Sequence, residues 1–272
     1  METQDSRGWK RSKKNPDRRM PLSEHLIEFR NRMIICAVAL VLAAVAGWFL
    51  YDPVLAILQL PVDEIAAQDG RIAELNYAGI ASPFDMKIKV SLFIGLILSS
   101  PVWIQQLWAF IVPGLTRTEK RYTLGFVAVS IPLFLGGACL AFFAMPNAVR
   151  ALTSFTPEGA SNIIPAQEYL SFVMIIIVVF GLAFVLPVLM VGLNMLGILS
   201  ANRIRKSWRI VVLIVFVFAA IATPAPDAIS MFFLAIPMLA LFFLAWLVCL
   251  LGDRRRKRRL IAEGLWEDPA EE

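Results

Sequence analysis

The chain alternates long apolar runs with short polar segments. Charge-free runs extend from Met33 to Leu50, from Val90 to Val112, from Tyr122 to Met145 and from Tyr169 to Ser200. A helix rises about 1.5 Å per residue, so each run is long enough to cross the roughly 30 Å hydrocarbon core of a bilayer. The pattern therefore predicts four transmembrane helices, which the internal prolines, such as Pro101, kink rather than stop.

A fifth apolar block, from Ile210 to Gly252, is interrupted by Pro224, Pro226 and Asp227. Proline cannot continue a helix, and an aspartate is costly in lipid. The block is therefore predicted to fold back as a hairpin of two short helices. Only 13 residues precede the turn, so the fifth span is unusually short for a bilayer.

The predicted fold is thus an all-α, polytopic membrane protein with six transmembrane helices. Its membrane domain covers residues 22–252, between a basic tail at 1–21 and a charged tail at 253–272. The six predicted spans lie at about 33–50, 90–112, 122–145, 169–196, 209–222 and 228–250.

Composition agrees with this pattern. A chain with 58% hydrophobic residues, 17% charged residues and a mean hydropathy of +0.70 has too little polar surface for a soluble domain. The outer loop between the first two spans also carries a run of apolar residues from Val54 to Leu60, which predicts a structured cap rather than a linker.

The basic residues predict the orientation. If the tails and the loops near residues 117–121 and 203–209 share one side, that side holds 22 of the 26 lysines and arginines. By the positive-inside rule, both termini are cytoplasmic and the protein lies in the cell membrane. The basic clusters flank apolar runs, so the lipid bilayer is the expected partner and nucleic acid is not.

Residues that carry chemistry are few. His25 is the only histidine, and Cys36, Cys139 and Cys249 lie within apolar runs without metal-ligand spacing. No nucleophile–base arrangement or Gly-rich phosphate loop is present in the sequence. We therefore predict no enzymatic activity, no metal site and no cofactor.

The approach to the first span is more informative. His25, Glu28 and Arg32 share one face of a predicted helix, whereas Arg30 points elsewhere. From spacing alone, the favoured interpretation is an i, i+4 ion pair between Glu28 and Arg32 on a solvated face. A binding role for these residues is the alternative.

Six short segments, in order, resemble elements of the TatC family, which supplies the receptor of the twin-arginine protein translocase. The resemblance extends over about Leu22 to Leu250. The segments are Ser23–Arg32, Ala81–Phe84, Trp108–Leu115 with Glu119, Tyr169–Phe172, Thr223-Pro224 with Asp227, and Leu234–Met238.

The resemblance implies a receptor that binds Arg-Arg signal peptides at the cytoplasmic face. With single-span TatA-like and TatB-like partners, and as a homo-oligomer, it would export folded proteins using the proton gradient. It also implies that Glu28 and Glu119 hold the signal arginines, with Arg30, Arg32 and Phe110 bordering them. Glu119 has two structural alternatives, a salt bridge with Arg121 or an N-cap in the loop. Phe110 has one alternative, which is packing.

The resemblance further implies a partner or translocation surface on the outer side. Its residues are Pro61, Thr223, Asp227, Ser230 and Met231. A proline such as Pro61 equally suits a turn, and Asp227 equally suits the cap of the sixth helix.

Two positions depart from the family pattern. Val185 and Phe243 stand where the family often has glutamate, and Asn194 is not assumed to replace either of them. Two rival functions also remain, a small secondary transporter and a non-catalytic scaffold or insertase. A transporter would require paired broken helices or midplane charges, and the six predicted spans have neither.

Overall fold

The computed structural model describes residues 22–69, 73–77, 79–111, 117–153, 162–195, 199–222 and 228–262. Within these residues the chain forms helices and two short strands. In chain order they are α1 (Leu22–Phe49), α2 (Tyr51–Asp69), β1 (Ala73–Asn76), α3 (Ser82–Leu98), α4 (Ser100–Ile111), α5 (Arg117–Thr153), β2 (Asn162–Pro165), α6 (Ala166–Met195), α7 (Ala201–Lys206), α8 (Trp208–Ala222) and α9 (Ala228–Ala262).

Helix length and apolarity confirm a multi-pass membrane protein. Four helices, α1, α5, α6 and α9, are long and apolar enough to cross a bilayer, and α3 with α4 supplies a fifth span if the two count as one. The predicted count of six is reached when the apolar, 15-residue α8 is included. Its length agrees with the predicted short fifth span.

The second predicted span is a bent pair rather than one helix. The axes of α3 and α4 differ by 57°, with the break at Ser99. Pro101 is the second residue of α4, where its lack of an N–H removes a bond to the preceding turn. The predicted kink is therefore present, whereas Pro132 and Pro187 lie inside the continuous helices α5 and α6.

The centre of the bundle is the α5–α6 pair, which glycines bring close together. A Cβ at Gly137 would lie 2.7 Å from the carbonyl oxygen of Phe180, and one at Gly181 would lie 2.7 Å from the ring of Phe134. Small residues at such positions let two helix backbones approach within a membrane. The largest buried cluster forms around this pair and includes Phe180, which is fully buried.

The hairpin differs from the prediction in one respect. The helices α8 and α9 pack together, with the rings of Phe216 and Phe232 5.4 Å apart. The sixth helix is not short, because α9 has 35 residues and continues past the predicted end at residue 250 through the arginine-rich segment to Ala262. Lysine and arginine are good helix formers, so the helix continues where the apolar run ends.

The predicted cap between the first two spans also forms regular structure, the helix α2. In α2, Leu58 and Val62 are buried, and the Tyr169 hydroxyl donates to the Leu58 carbonyl over 3.0 Å. Pro61 lies within α2, so it does not mark a turn.

A parallel two-stranded ribbon joins the segment after α2 to the segment before α6. Ala73 pairs with Asn162 and Asn76 with Pro165. This ribbon was not predicted from the sequence, but it changes the helical fold only locally.

Candidate binding site at the start of the first helix

The candidate site lies where the start of α1 meets the end of α4. Because α1 begins at Leu22, ahead of the first apolar run, its polar residues are already helical and share a face as predicted. Gln106 and Phe110 are four residues apart on α4 and therefore lie on one side of that helix. Both contact α1.

Aromatic contacts join the two helices. The Phe110 ring stacks on His25 at a centroid distance of 4.6 Å and an angle of 20°. It also lies 5.4 Å from the ring of Phe29. Phe110 therefore packs at this junction, which is its structural alternative, and its predicted role at the border of a binding site stays a prediction.

The predicted ion pair is present. Arg32 donates from Nε to Oε1 of Glu28 over 3.1 Å, and from Nη2 to the same oxygen over 2.5 Å. The side chains of Arg32 and Glu28 are 23% and 24% exposed, so the pair is mostly removed from solvent.

The remaining oxygen of the carboxylate is the unusual feature of this pair. Oε2 of Glu28 is buried and has no hydrogen-bond partner among the residues that the structure describes. A buried acceptor without a partner costs about 1–3 kcal/mol, whereas an i, i+4 ion pair contributes only about 0.3–0.5 kcal/mol. A donor that bonded to Oε2 would therefore remove this cost. A guanidinium group is the donor that best matches a carboxylate.

Gln106 completes the site, and the sequence did not predict its involvement. Its side-chain oxygen accepts from Nη1 of Arg32 over 3.1 Å. Arg32 is thus held by two acceptors, Glu28 on its own helix and Gln106 on α4. The only signal available in the sequence was the position of Gln106, one helical turn before Phe110.

Not all the predicted residues join this cluster. Arg30 is exposed, and its bond to Asn31 is long, at 3.4 Å. Glu119 lies in the first turn of α5, but its side chain is outside the described part of the chain. The structure therefore brings together Glu28, Arg32 and Phe110, and the predicted role of Glu119 stays a prediction.

The predicted partner surface is described only in part. Thr223 and Asp227 lie outside the described residues, and Ser230 lies in α9 with its side chain undescribed. The side chain of Pro61 is likewise undescribed. Met231 is half-buried and packs against the main apolar cluster.

The two departures from the family pattern have different surroundings. Val185 is buried in a cluster with Trp108 and Phe134, where a carboxylate would be costly. The indole N–H of Trp108 is already satisfied by Ser130 Oγ over 2.9 Å. Phe243, in contrast, is exposed on α9.

A second polar network lies at the C-terminal end of α6. Asn194 donates to the Leu199 carbonyl over 2.7 Å and to Asp253 Oδ1 over 3.0 Å. The other oxygen of Asp253 accepts from the backbone N–H of Ala201 over 2.8 Å. This network holds the ends of α6, α7 and α9 together, so Asn194 has a structural role.

The chain is similar in sequence to a known family of membrane proteins. The model of the family described as Sec-independent protein translocase protein (TatC) matches residues 24–237. The TatC protein of Xylanimonas cellulosilytica is 49% identical over 242 residues, covering 89% of this chain and 88% of the relative. That of Rothia mucilaginosa is 45% identical over 253 residues, covering 92% of this chain and 86% of the relative.

The fold is also similar to that of solved structures. The crystal structure of a twin-arginine translocase receptor, TatC, superimposes with a TM-score of 0.68 at 31% identity, covering 84% of this chain and 99% of that one. The fold and the matches define a multi-pass membrane component of a protein translocase. The chain belongs to the TatC family.

Proposed function

We propose that this chain is the receptor of a twin-arginine translocation system and binds Arg-Arg signal peptides at its cytoplasmic face. Glu28 and Glu119 hold the two guanidinium groups, and Arg30, Arg32 and Phe110 border the site. The observation that carries the proposal is the Glu28 carboxylate, whose buried Oε2 has no partner among the described residues. One of the solved relatives is named a twin-arginine translocase receptor, which supports the same assignment.

The chemistry of recognition follows from the side chains. A guanidinium is planar and donates two parallel hydrogen bonds to a carboxylate, whereas an ammonium acts as a point charge. A carboxylate in a partly buried setting therefore favours arginine over lysine. Because no catalytic step is needed for recognition, the proposed role is that of a receptor and not of an enzyme.

A binding assay tests this site. Charge-assisted hydrogen bonds are worth about 1.5–3 kcal/mol, so Glu28→Ala and Glu119→Ala each weaken binding of an Arg-Arg peptide by about ten- to a hundredfold. A Lys-Lys peptide is the matched control and binds weakly to the parent chain. If both variants bound the two peptides as the parent does, Glu28 would be only part of a structural ion pair.

The same assay separates the alternatives. A secondary transporter or a non-catalytic scaffold would bind Arg-Arg and Lys-Lys peptides equally, since neither reads an arginine pair.

The proposed orientation has both termini and the basic loops in the cytoplasm. Its support is that 22 of the 26 lysines and arginines fall on that side. Cysteines introduced at Asn76 and Gly159 react with a membrane-impermeant thiol reagent in intact cells, whereas those at Arg117 and Arg205 do not. The reverse labelling pattern would contradict this topology.

The proposed partners are single-span TatA-like and TatB-like proteins, which assemble with several copies of this chain in the cell membrane. The complex moves folded cargo using the proton-motive force. We assign the partner or translocation surface to Pro61, Thr223, Asp227, Ser230 and Met231, the last of which lies in the α8–α9 hairpin. Docking there rests on shape more than polarity, since hydrogen bonds between membrane helices contribute only about 0.6 kcal/mol each.

Met231 offers a test of packing at the hairpin. Met231→Trp adds bulk next to the α8–α9 contact and abolishes cross-linking to the single-span partners, while peptide binding persists. Met231→Leu nearly conserves volume and keeps cross-linking. Equal behaviour of the two variants would refute a packing-based contact at this position.

A further inference from the structure

The candidate site already contains a guanidinium group, the chemical group that it is proposed to recognise. Arg32 lies one helical turn after Glu28 and donates to it from both Nε and Nη2. An incoming signal arginine would therefore meet a carboxylate that is already half occupied.

The occupation is one-sided. Both donors of Arg32 converge on Oε1, and Oε2 stays buried without a partner among the described residues. A bidentate pair would instead use both oxygens, one for each donor. The arrangement leaves one acceptor for a ligand while Arg32 holds the other.

Arg32 also has somewhere else to bind. Its Nη1 donates to Gln106 Oε1 over 3.1 Å, and Gln106 lies on α4, which is a separate helix. Gln106 is neutral, so it can hold Arg32 without adding a negative charge that would itself attract the ligand. Loss of the bonds to Glu28 would therefore leave Arg32 with one acceptor in place.

We propose that Arg32 is an internal competitor for the signal-peptide arginine at Glu28, and that Gln106 retains Arg32 when the ligand displaces it. The inference rests on the proposed function, since it requires that Glu28 binds a ligand arginine. The ligand first gains the unpartnered Oε2. It then displaces Arg32, because two guanidinium groups on one carboxylate repel each other.

The consequence for recognition is a higher affinity threshold. A ligand that binds only the open form has its apparent affinity reduced by the fraction of receptor that is open. The reduction applies equally to every ligand that uses Glu28. Peptides that gain little from the carboxylates therefore fall below a useful affinity, whereas an arginine pair still binds.

The test compares two charge-removing substitutions in the purified, full-length chain, with a labelled Arg-Arg peptide as the probe. Arg32→Gln removes the competitor, and Arg258→Gln removes the same charge from an exposed position on α9, outside the candidate site. Arg32→Gln binds the peptide about two- to fivefold more tightly than Arg258→Gln, which is the range for a partly exposed ion pair. A Lys-Lys peptide gains by the same factor.

Equal or weaker binding by Arg32→Gln than by Arg258→Gln would overturn the proposal, because Arg32 would then not compete with the ligand for Glu28. A second variant keeps the test decisive if Arg32→Gln does not fold. Gln106→Leu removes the alternative acceptor, so Arg32 stays on Glu28 and the affinity for the Arg-Arg peptide falls. Unchanged or higher affinity in Gln106→Leu would also count against the proposal.

A third variant separates this inference from the proposed function. If Glu28→Gln binds the Arg-Arg peptide as the parent does, the site assignment itself fails. If Glu28→Gln weakens binding while Arg32→Gln matches Arg258→Gln, the site stands and only the competitor is refuted.

Discussion

The helices α6 and α1 are both long and apolar, yet they occupy opposite environments. Across its most apolar part, 56% of the residues of α6 are buried inside the protein, against 6% in α1. The helix α6 packs on both α5 and α9, whereas α1 attaches by one side to α3 and α4. The comparison shows that α6 is the structural centre and α1 an edge helix.

This difference suits the two helices to different roles. In the proposed function, the edge helix α1 offers Glu28 to an incoming peptide without disturbing the core. A central helix such as α6 has less free surface and fixes the position of its neighbours.

The largest effect is expected from a substitution at the α5–α6 contact in the centre of the bundle. Gly137→Leu places side-chain atoms where even a Cβ would lie 2.7 Å from the carbonyl oxygen of Phe180, which forces α5 and α6 apart. We expect a loss of about 3 kcal/mol or more in the free energy of unfolding, read from thermal unfolding in detergent. The neighbouring Gly136 has no atom within 4 Å of such a Cβ, so Gly136→Leu is the control and stays near the parent.

A smaller effect is expected when the same leucine-to-alanine substitution is made in α6 and in α1. Leu170 of α6 is fully buried, whereas the side chain of Leu42 in α1 is 67% exposed. Leu170→Ala leaves a cavity in the core and lowers the free energy of unfolding by about 2 kcal/mol or more relative to Leu42→Ala, which loses only lipid contact. Similar melting temperatures for the two variants would contradict the assignment of α6 as the centre.

The smallest expected effect comes from weakening the attachment of the cap helix α2 to α6. Tyr169→Phe removes the hydroxyl that donates to the Leu58 carbonyl, a bond of 3.0 Å. The expected cost is about 1 kcal/mol, together with faster hydrogen exchange in α2. Unchanged exchange in α2 would show that the cap is held by other contacts.

Much of the fold follows from local sequence. The apolar runs gave the positions of the long helices, and Pro101 marked the bend between α3 and α4. The β1–β2 ribbon was not predictable, because each strand has only four residues and its partner lies far away in the chain. The length of α9 was underestimated because a helix does not have to end where its apolar run ends.

The candidate site likewise combines a contact that local sequence predicts with one that it does not. The Glu28–Arg32 pair was predicted because four-residue spacing places two side chains together on any helix. The bond from Arg32 to Gln106 joins residues that are 74 positions apart, and no local spacing indicates it.

The burial of Trp108 was not predictable either. A Cβ at Gly192 would lie 2.4 Å from the Trp108 ring, so the indole fits only because glycine stands there. This match between α4 and α6 depends on how the two helices pack.

The sequence by itself determined that the chain lies in a membrane, where its apolar segments are, and which charges share a helix face. These properties depend on composition and on the fixed geometry of a single helix. Only the tertiary structure decided that α6 is central, that Gln106 binds Arg32 and that one oxygen of Glu28 has no partner among the described residues. Those features depend on the angles and distances between helices, which arise from the packing of many side chains at once.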